Sequence, residues 1–154
     1  SQALNQNFYY LGKELQYKNI KPRIIVEKLL LDENNKVPSD YKLHCFNGKL
    51  VITQVDTSRF EKHRRNLYDT NWNLIECAWM YKSGDLTPKP SNMNKMQELA
   101  EILSLPFDYV RVDFYSVGDN IYFGELTFHP GCGWENFYPI EYDEKFGSML
   151  VLNK

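Results

Sequence analysis

The sequence predicts an α+β fold, a mostly antiparallel sheet with helices packed on it, and three observations carry that prediction. Residues 109–115 and 121–127 are rich in β-branched and aromatic side chains and flank Val117-Gly118-Asp119-Asn120, which supplies turn chemistry, so they read as a hairpin. Residues 41–46 and 49–56 form a second hairpin around Asn47-Gly48, a dipeptide suited to the positive φ angles of a two-residue turn. Between them Met93, Met96, Leu99, Ala100 and Leu103 recur at helical spacing, which predicts an amphipathic helix over 92–104 with Ser91 or Asn92 at its cap and the methionine and leucine stripe in the core.

The remaining elements follow in chain order. Residues 5–17 read as a helix or helical turn, stopped by Lys21-Pro22 because the residue before proline avoids the helical region. Residues 23–31 read as extended, and the continuous apolar run Ile24-Ile25-Val26 is what a buried central strand looks like. Residues 83–91, with Gly84, Pro88 and Pro90, are a loop. Residues 142–152 are a closing helix weakened by Gly147. No repeat, low-complexity tract or interdomain linker interrupts the chain, and 154 residues with 43% apolar content allow one compact domain spanning 1–154.

Composition excludes several classes of function. A net charge of -2 and a pI of about 5.9 provide no basic field to attract nucleic acid. Cys45, Cys77 and Cys132 are odd in number and lack Cys-x-x-Cys spacing, so neither a zinc site nor a disulfide framework is indicated, and each is expected to be free, Cys132 buried in preference to reactive. His44, His63 and His129 are scattered. Without a signal peptide or an apolar run near 20 residues, the expected location is the reducing cytoplasm, with the inner face of the membrane allowed and no transmembrane segment. Aromatic content is 15%; Trp72, Trp79, Trp134 and Tyr138 suit sugar stacking, although core packing is the expected use of each.

The first hairpin carries the chemistry. Side chains alternate between faces along a strand, so in an unbulged register odd-numbered Arg111, Asp113, Glu125 and Thr127 are expected on one face, with Val110, Val112, Phe114, Tyr122 and Leu126 on the apolar face. Two carboxylates about 5 to 8 Å apart across a ladder repel unless positive charge lies between them. A hard divalent cation such as magnesium answers that need. The alternatives are a solvated hairpin in which Arg111 neutralises the acids, and a metal-dependent nuclease, in which Thr127 stands where lysine is required. Lys42, on an alternating strand, either approaches phosphate or extends into solvent. Arg59, Lys62, His63, Arg64 and Arg65 crowd one segment that either clamps phosphate or forms a solvated loop, since guanidinium offers anionic oxygens a bidentate fork.

Val110-Arg111-Val112-Asp113-Phe114-Tyr115, Tyr122-Phe123-Gly124-Glu125-Leu126-Thr127-Phe128 and Pro130-Gly131, with upstream Pro22-Arg23-Ile24-Ile25-Val26-Glu27-Lys28-Leu29-Leu30 and Asp40 to Lys49, resemble the TupA-like ATP-grasp proteins over nearly the whole chain. The resemblance implies the carboxy-terminal catalytic part of such a protein, with an amino-terminal domain and a nucleotide-covering lid outside this chain. It implies ATP and Mg2+ as cofactors and ligase chemistry of the carboxylate-amine type in cell-envelope or capsular polysaccharide synthesis, where such proteins are sometimes labelled glycosyltransferases. Asp113, Glu125 and Thr127 would then hold magnesium, Thr127 replacing an asparagine. Arg111, with Arg59 and Arg65, would stabilise phosphoryl charge, and Glu27, Lys28, Leu29, Leu30 and Lys42 would bind the nucleotide. The partners implied are a nucleotide and a carboxylate-bearing saccharide or amino acid acceptor. Competing readings are glycosyl transfer, a nuclease, and a noncatalytic carbohydrate-binding domain.

Overall fold

A computed structural model describes residues 2–57 and 63–152. Five antiparallel strands form the main sheet in the order β3-β2-β1-β5-β6: β1 (Asp40–Phe46), β2 (Lys49–Thr57), β3 (Arg64–Tyr68), β5 (Tyr109–Val117) and β6 (Asn120–Thr127). A two-stranded ribbon pairs β4 (Ala78–Trp79) with β7 (Phe137–Tyr138). Helix α2 (Met93–Ser104) packs on β1, β2 and β5, the short α3 (Glu141–Gly147) packs on β7, and the single turn α1 (Tyr9–Gly12) lies against the 3-10 turn at Leu15–Tyr17. The α+β class, both hairpins, the central helix and the loop over 83–91 stand where the residues place them.

The core follows from the alternation. One face of the sheet presents Tyr41, Leu43, Cys45, Val55, Val110, Val112 and Phe114, all buried, to Met93, Met96 and Ala100 of α2. Asn47 and Gly48 both adopt positive φ, 50° and 78°, as the tight connection between β1 and β2 requires. A smaller cluster of Ile52, Leu67, Cys77, Trp79, Phe137 and Phe146 fills the other face at one end, where the β4-β7 ribbon and α3 cover it.

Four expectations need correction. Residues 5–17 do not form one helix but a 3-10 turn ending at Asn5, the single turn α1, and a further 3-10 turn at Leu15–Tyr17; Lys13 in a left-handed conformation ends α1. Residues 23–31 join no sheet, and Ile24, Ile25 and Val26 are 70%, 78% and 91% exposed, so the apolar run is not a buried strand. The closing helix starts at Glu141 and stops at Gly147, as glycine's low helix propensity favours. Cys132 is exposed, whereas Cys45 and Cys77 are buried and free.

Two β-bulges set the phase of the sheet. From the Asn47-Gly48 turn, Phe46 pairs with Lys49 and Cys45 with Leu50, which matches odd positions to even ones. The extra residue Val51 changes this, so His44 faces Ile52, Lys42 faces Gln54 and Asp40 faces Asp56. In the β5-β6 hairpin Val117 pairs with Asn120 and Phe114 with Phe123, again odd with even, until Gly124 and Glu125 together oppose Asp113. Beyond that bulge Val112 pairs with Leu126 and Arg111 with Thr127.

Candidate functional site

The bulges assemble a charged face. Cross-strand partners point to the same side of a sheet, so three rows can be read across it. Arg65, Asp56, Asp40, Tyr115 and Tyr122 make the first; Leu67, Gln54, Lys42 and Asp113 the second; Ile52, His44, Arg111 and Thr127 the third. Glu125, next to the bulge, joins the same side. The shared face expected of an unbulged register is reached only through the bulge, a correction to that premise: an unbulged continuation of the two-residue turn would have set Glu125 opposite Val112 on the core side. Tyr122 is correspondingly opposite Tyr115 and not on the apolar face, a correction to the sequence reading.

On this face the cations are shared between carboxylates. Arg111 donates from Nε to Asp113 Oδ1 at 2.7 Å and from its terminal nitrogen to Asp113 Oδ2 at 2.8 Å and to Glu125 Oε1 at 2.9 Å. Thr127 donates its hydroxyl to Glu125 at 3.0 Å. Lys42 is buried, bonding Asp40 and, at 2.9 Å, Asp113 Oδ2, so the solvent-extended reading of Lys42 is excluded. Burial lowers the Arg111 pKa, but the hydrogen bonds to Asp113 and the charges of Asp113 and Glu125 together outweigh it and the net shift is upward, so the guanidinium stays charged. Asp113 is 3% exposed whereas the Glu125 side chain is 63% exposed, so the pair opens outward at the edge strand.

The cation between the acids is thus Arg111. Among the described residues no group of three or more histidine, cysteine, aspartate or glutamate side chains is placed to hold a metal ion. Asp113, Glu125 and Thr127 nonetheless form a hard-oxygen donor set of the kind magnesium takes, with one carboxylate accessible.

Arg65, implied above as part of a phosphate clamp, is engaged by protein groups. It lies on β3 rather than in a loop, donates to Asp56 Oδ1 at 2.8 Å and to the Trp79 carbonyl at 3.2 Å, and stacks over the rings of Trp79 and Tyr81. Glu135 lies 3.6 Å from it. Buried among these partners, Arg65 braces the sheet and has little donor capacity left for a ligand. Arg59 and Lys62 lie outside the described residues. His63 packs on Tyr81, with ring centroids 3.9 Å apart, and approaches Asp56 at 3.5 Å; the stem of Arg64 packs against Gly84.

Glu27, Lys28, Leu29 and Leu30 line a cleft of about 310 Å³ with Val37, Pro38, Tyr115 and Phe123. Tyr115 is the next same-face residue after Asp113, about 7 Å along the strand, so cleft and carboxylates adjoin. Gly124 makes this possible: a Cβ there would sit 3.1 Å from the Asp113 carbonyl and 3.4 Å from the Tyr115 ring. A larger hollow of about 1040 Å³, lined by Phe8, Tyr17, Ile20 and Arg23 among others, includes none of the charged-face residues and is less suited to the chemistry. Of the aromatic candidates, Trp79 is 7% exposed and Trp72 stacks on Tyr68, whereas Trp134 and Tyr138 are 85% and 60% exposed and do not belong to the core as expected.

Sequence reasoning missed Asp40, His44, Gln54, Asp56, Tyr115 and Phe123 as parts of this face and cleft. The alternation Asp40-x-Lys42-x-His44 was a usable signal, since it places three polar groups on one side of a strand. Gln54 and Asp56 had none, because their side depends on the bulge at Val51.

A charged sheet face beside a cleft places this chain in the ATP-grasp class once the comparisons are added: the family model described as TupA-like ATPgrasp matches residues 1–151. The chain belongs to the TupA-like ATP-grasp family and is an ATP-grasp, ligase-like protein. No curated protein and no solved structure matches it. No helix among the described residues is long and apolar enough to cross a membrane.

Proposed function

We propose that this protein uses ATP and magnesium to join a carboxylate to an amine in the synthesis of cell-envelope or capsular polysaccharide, acting in the cytoplasm or at the inner face of the membrane. The observation that carries the reading is the run Lys42, Asp113, Arg111 and Glu125 on one sheet face, adjoining the cleft of Glu27 to Leu30, in a chain of this family. The cleft takes the base, between the backbone of 28–30 and the rings of Tyr115 and Phe123. Glu27 faces the base or ribose.

Asp113 and Glu125, with the Thr127 hydroxyl, would hold magnesium, which when bound neutralises phosphate charge. Phosphoryl transfer depends on positioned charge more than on covalent help from the protein. Arg111 and Lys42 supply that charge: both are anchored by Asp113, so their orientation is set before a ligand arrives. In the reaction class implied, an acceptor carboxylate oxygen bonds to the γ-phosphorus as ADP leaves, and an amine then displaces phosphate from the acyl phosphate. The acceptor is a carboxylate-bearing saccharide or an amino acid.

Calorimetry of MgATP against wild type, Asp113→Asn and Glu125→Gln tests the assignment. Loss of affinity of about tenfold or more in each variant is expected, and equal affinity in all three would remove both residues from the site. Release of nucleoside diphosphate from a sugar nucleotide without ATP consumption would favour glycosyl transfer instead.

A further inference from the structure

At the closed end of the charged face, five side chains from four strands form one continuous hydrogen-bonded line. Tyr109 Oη lies 2.8 Å from His44 Nδ1, His44 Nε2 lies 3.2 Å from Gln54 Oε1, Gln54 Nε2 donates to Asp56 Oδ2 at 2.9 Å, and Arg65 donates to Asp56 Oδ1 at 2.8 Å. Tyrosine, histidine and glutamine can each donate or accept, so the direction of the line is ambiguous at every internal link. The ends remove the ambiguity. Arginine has only donors, and the Asp56 carboxylate that it holds has only acceptors. Gln54 must therefore turn its amide nitrogen to Asp56 and its oxygen to His44. That oxygen needs a proton on Nε2, which leaves Nδ1 to accept from the Tyr109 hydroxyl.

We propose that Asp56 is a positioning residue for this face, its charge ordering the line through Gln54 to make His44 the neutral Nε2–H tautomer beside Arg111. His44 is 1% exposed, sits 5.0 Å from the Trp79 ring, and pairs in register with Arg111. The charged groups near it are Arg111 from β5, Arg65 from β3 and Lys42 from its own strand. Burial, followed by these cations, holds its pKa down at about 3, in agreement with an imidazole that stays uncharged. Burial likewise pushes the Tyr109 hydroxyl up, so it remains a donor. The consequence for function, which rests on the reading above, is that no extra positive charge displaces Arg111 from its place between Asp113 and Glu125.

Long-range nitrogen-proton NMR of the imidazoles in the full chain tests this, with the His44 signals assigned by their loss in His44→Asn. Wild type is expected to show a protonated Nε2 and a bare Nδ1. In Asp56→Asn the side-chain oxygen stays with Arg65 and the new amide donates to Gln54, so Gln54 turns over and the His44 proton moves to Nδ1. Asp56→Glu restores the carboxylate and is expected to keep the wild-type tautomer, as is Tyr109→Phe. A wild-type Nδ1–H tautomer, a charged imidazole at pH 7, or an unchanged tautomer in folded Asp56→Asn would overturn the proposal. Should Asp56→Asn fail to fold, Gln54→Met cuts the line instead: a mixture of both tautomers supports it and a single Nε2–H form overturns it. Because the NMR readout needs no nucleotide, failure of wild type to bind MgATP would defeat the proposed function and leave this result standing.

Discussion

The two ends of the charged face use the same residue types to opposite effect. At the β3 end Arg65, Asp56, Gln54 and His44 are all buried, each fully engaged, and roofed by Trp79. At the β6 end Asp113 is buried and Arg111 partly so, but Glu125, their partner, is exposed on an edge strand. A pair of charges that is closed on every side is a brace, whose loss leaves a bare ion in a dry place. One that opens to solvent at one side retains positions for a ligand. The difference comes from cover: the β4-β7 ribbon and α3 lie over one end and not the other.

The largest effect expected is on the brace. Asp56→Ala strands the Arg65 guanidinium among Trp79, Tyr81 and β2, and should lower stability by about 3–5 kcal/mol in chemical denaturation. A loss below about 1 kcal/mol would show that the two ends are alike.

Acid should break the same end next. The folded pKa of His44 is about 3, against 6.5 for an unhindered imidazole, so the unfolded chain binds the extra proton first. Stability is therefore full above pH 6.5 and falls with acidification at roughly 1.4 kcal/mol per pH unit until the folded pKa is reached. Asp56 adds to this fall: burial raises its carboxyl pKa, but Arg65 and Gln54 lower it further, and the net shift is downward. Comparing denaturation midpoints of wild type and His44→Asn between pH 7 and pH 4.5 isolates the histidine, and identical pH slopes would refute its share.

Gly124→Ala probes the bulge that joins cleft to carboxylates. Its Cβ meets the Asp113 carbonyl and the Tyr115 ring, and one of them must give way at a cost of about 1–3 kcal/mol. MgATP affinity should fall with it, which calorimetry on the folded variant would show.

Glu125→Gln sharpens the comparison from the other side. Because Glu125 is largely exposed, its ion pair with Arg111 contributes less than about 1 kcal/mol to stability, so the thermal midpoint should scarcely move while MgATP affinity drops. Equal losses of stability in Asp56→Ala and Glu125→Gln would erase the distinction between brace and site.

Much of this architecture was legible because it depends on local chemistry. Asn47-Gly48 dictates a turn, the spacing of Met93, Met96 and Ala100 dictates a buried helical stripe, and Arg111-x-Asp113 places two charges on one side of a strand wherever that strand lies. Ile24-Ile25-Val26 misled for a related reason: apolar sequence records a tendency to be covered, and among the described residues no strand pairs with it.

What tertiary structure alone decided is phase. A single extra residue at Val51 carries Gln54 and Asp56 onto the charged face, and another at Gly124-Glu125 carries Glu125 to Arg111. The side-chain period along a strand is two, so one inserted position exchanges core for site over everything beyond it. The gain that holds each bulge in place comes from partners far away in the chain, Arg65 for Asp56 and Arg111 for Glu125, and such distant pairings leave no local mark in the order of residues.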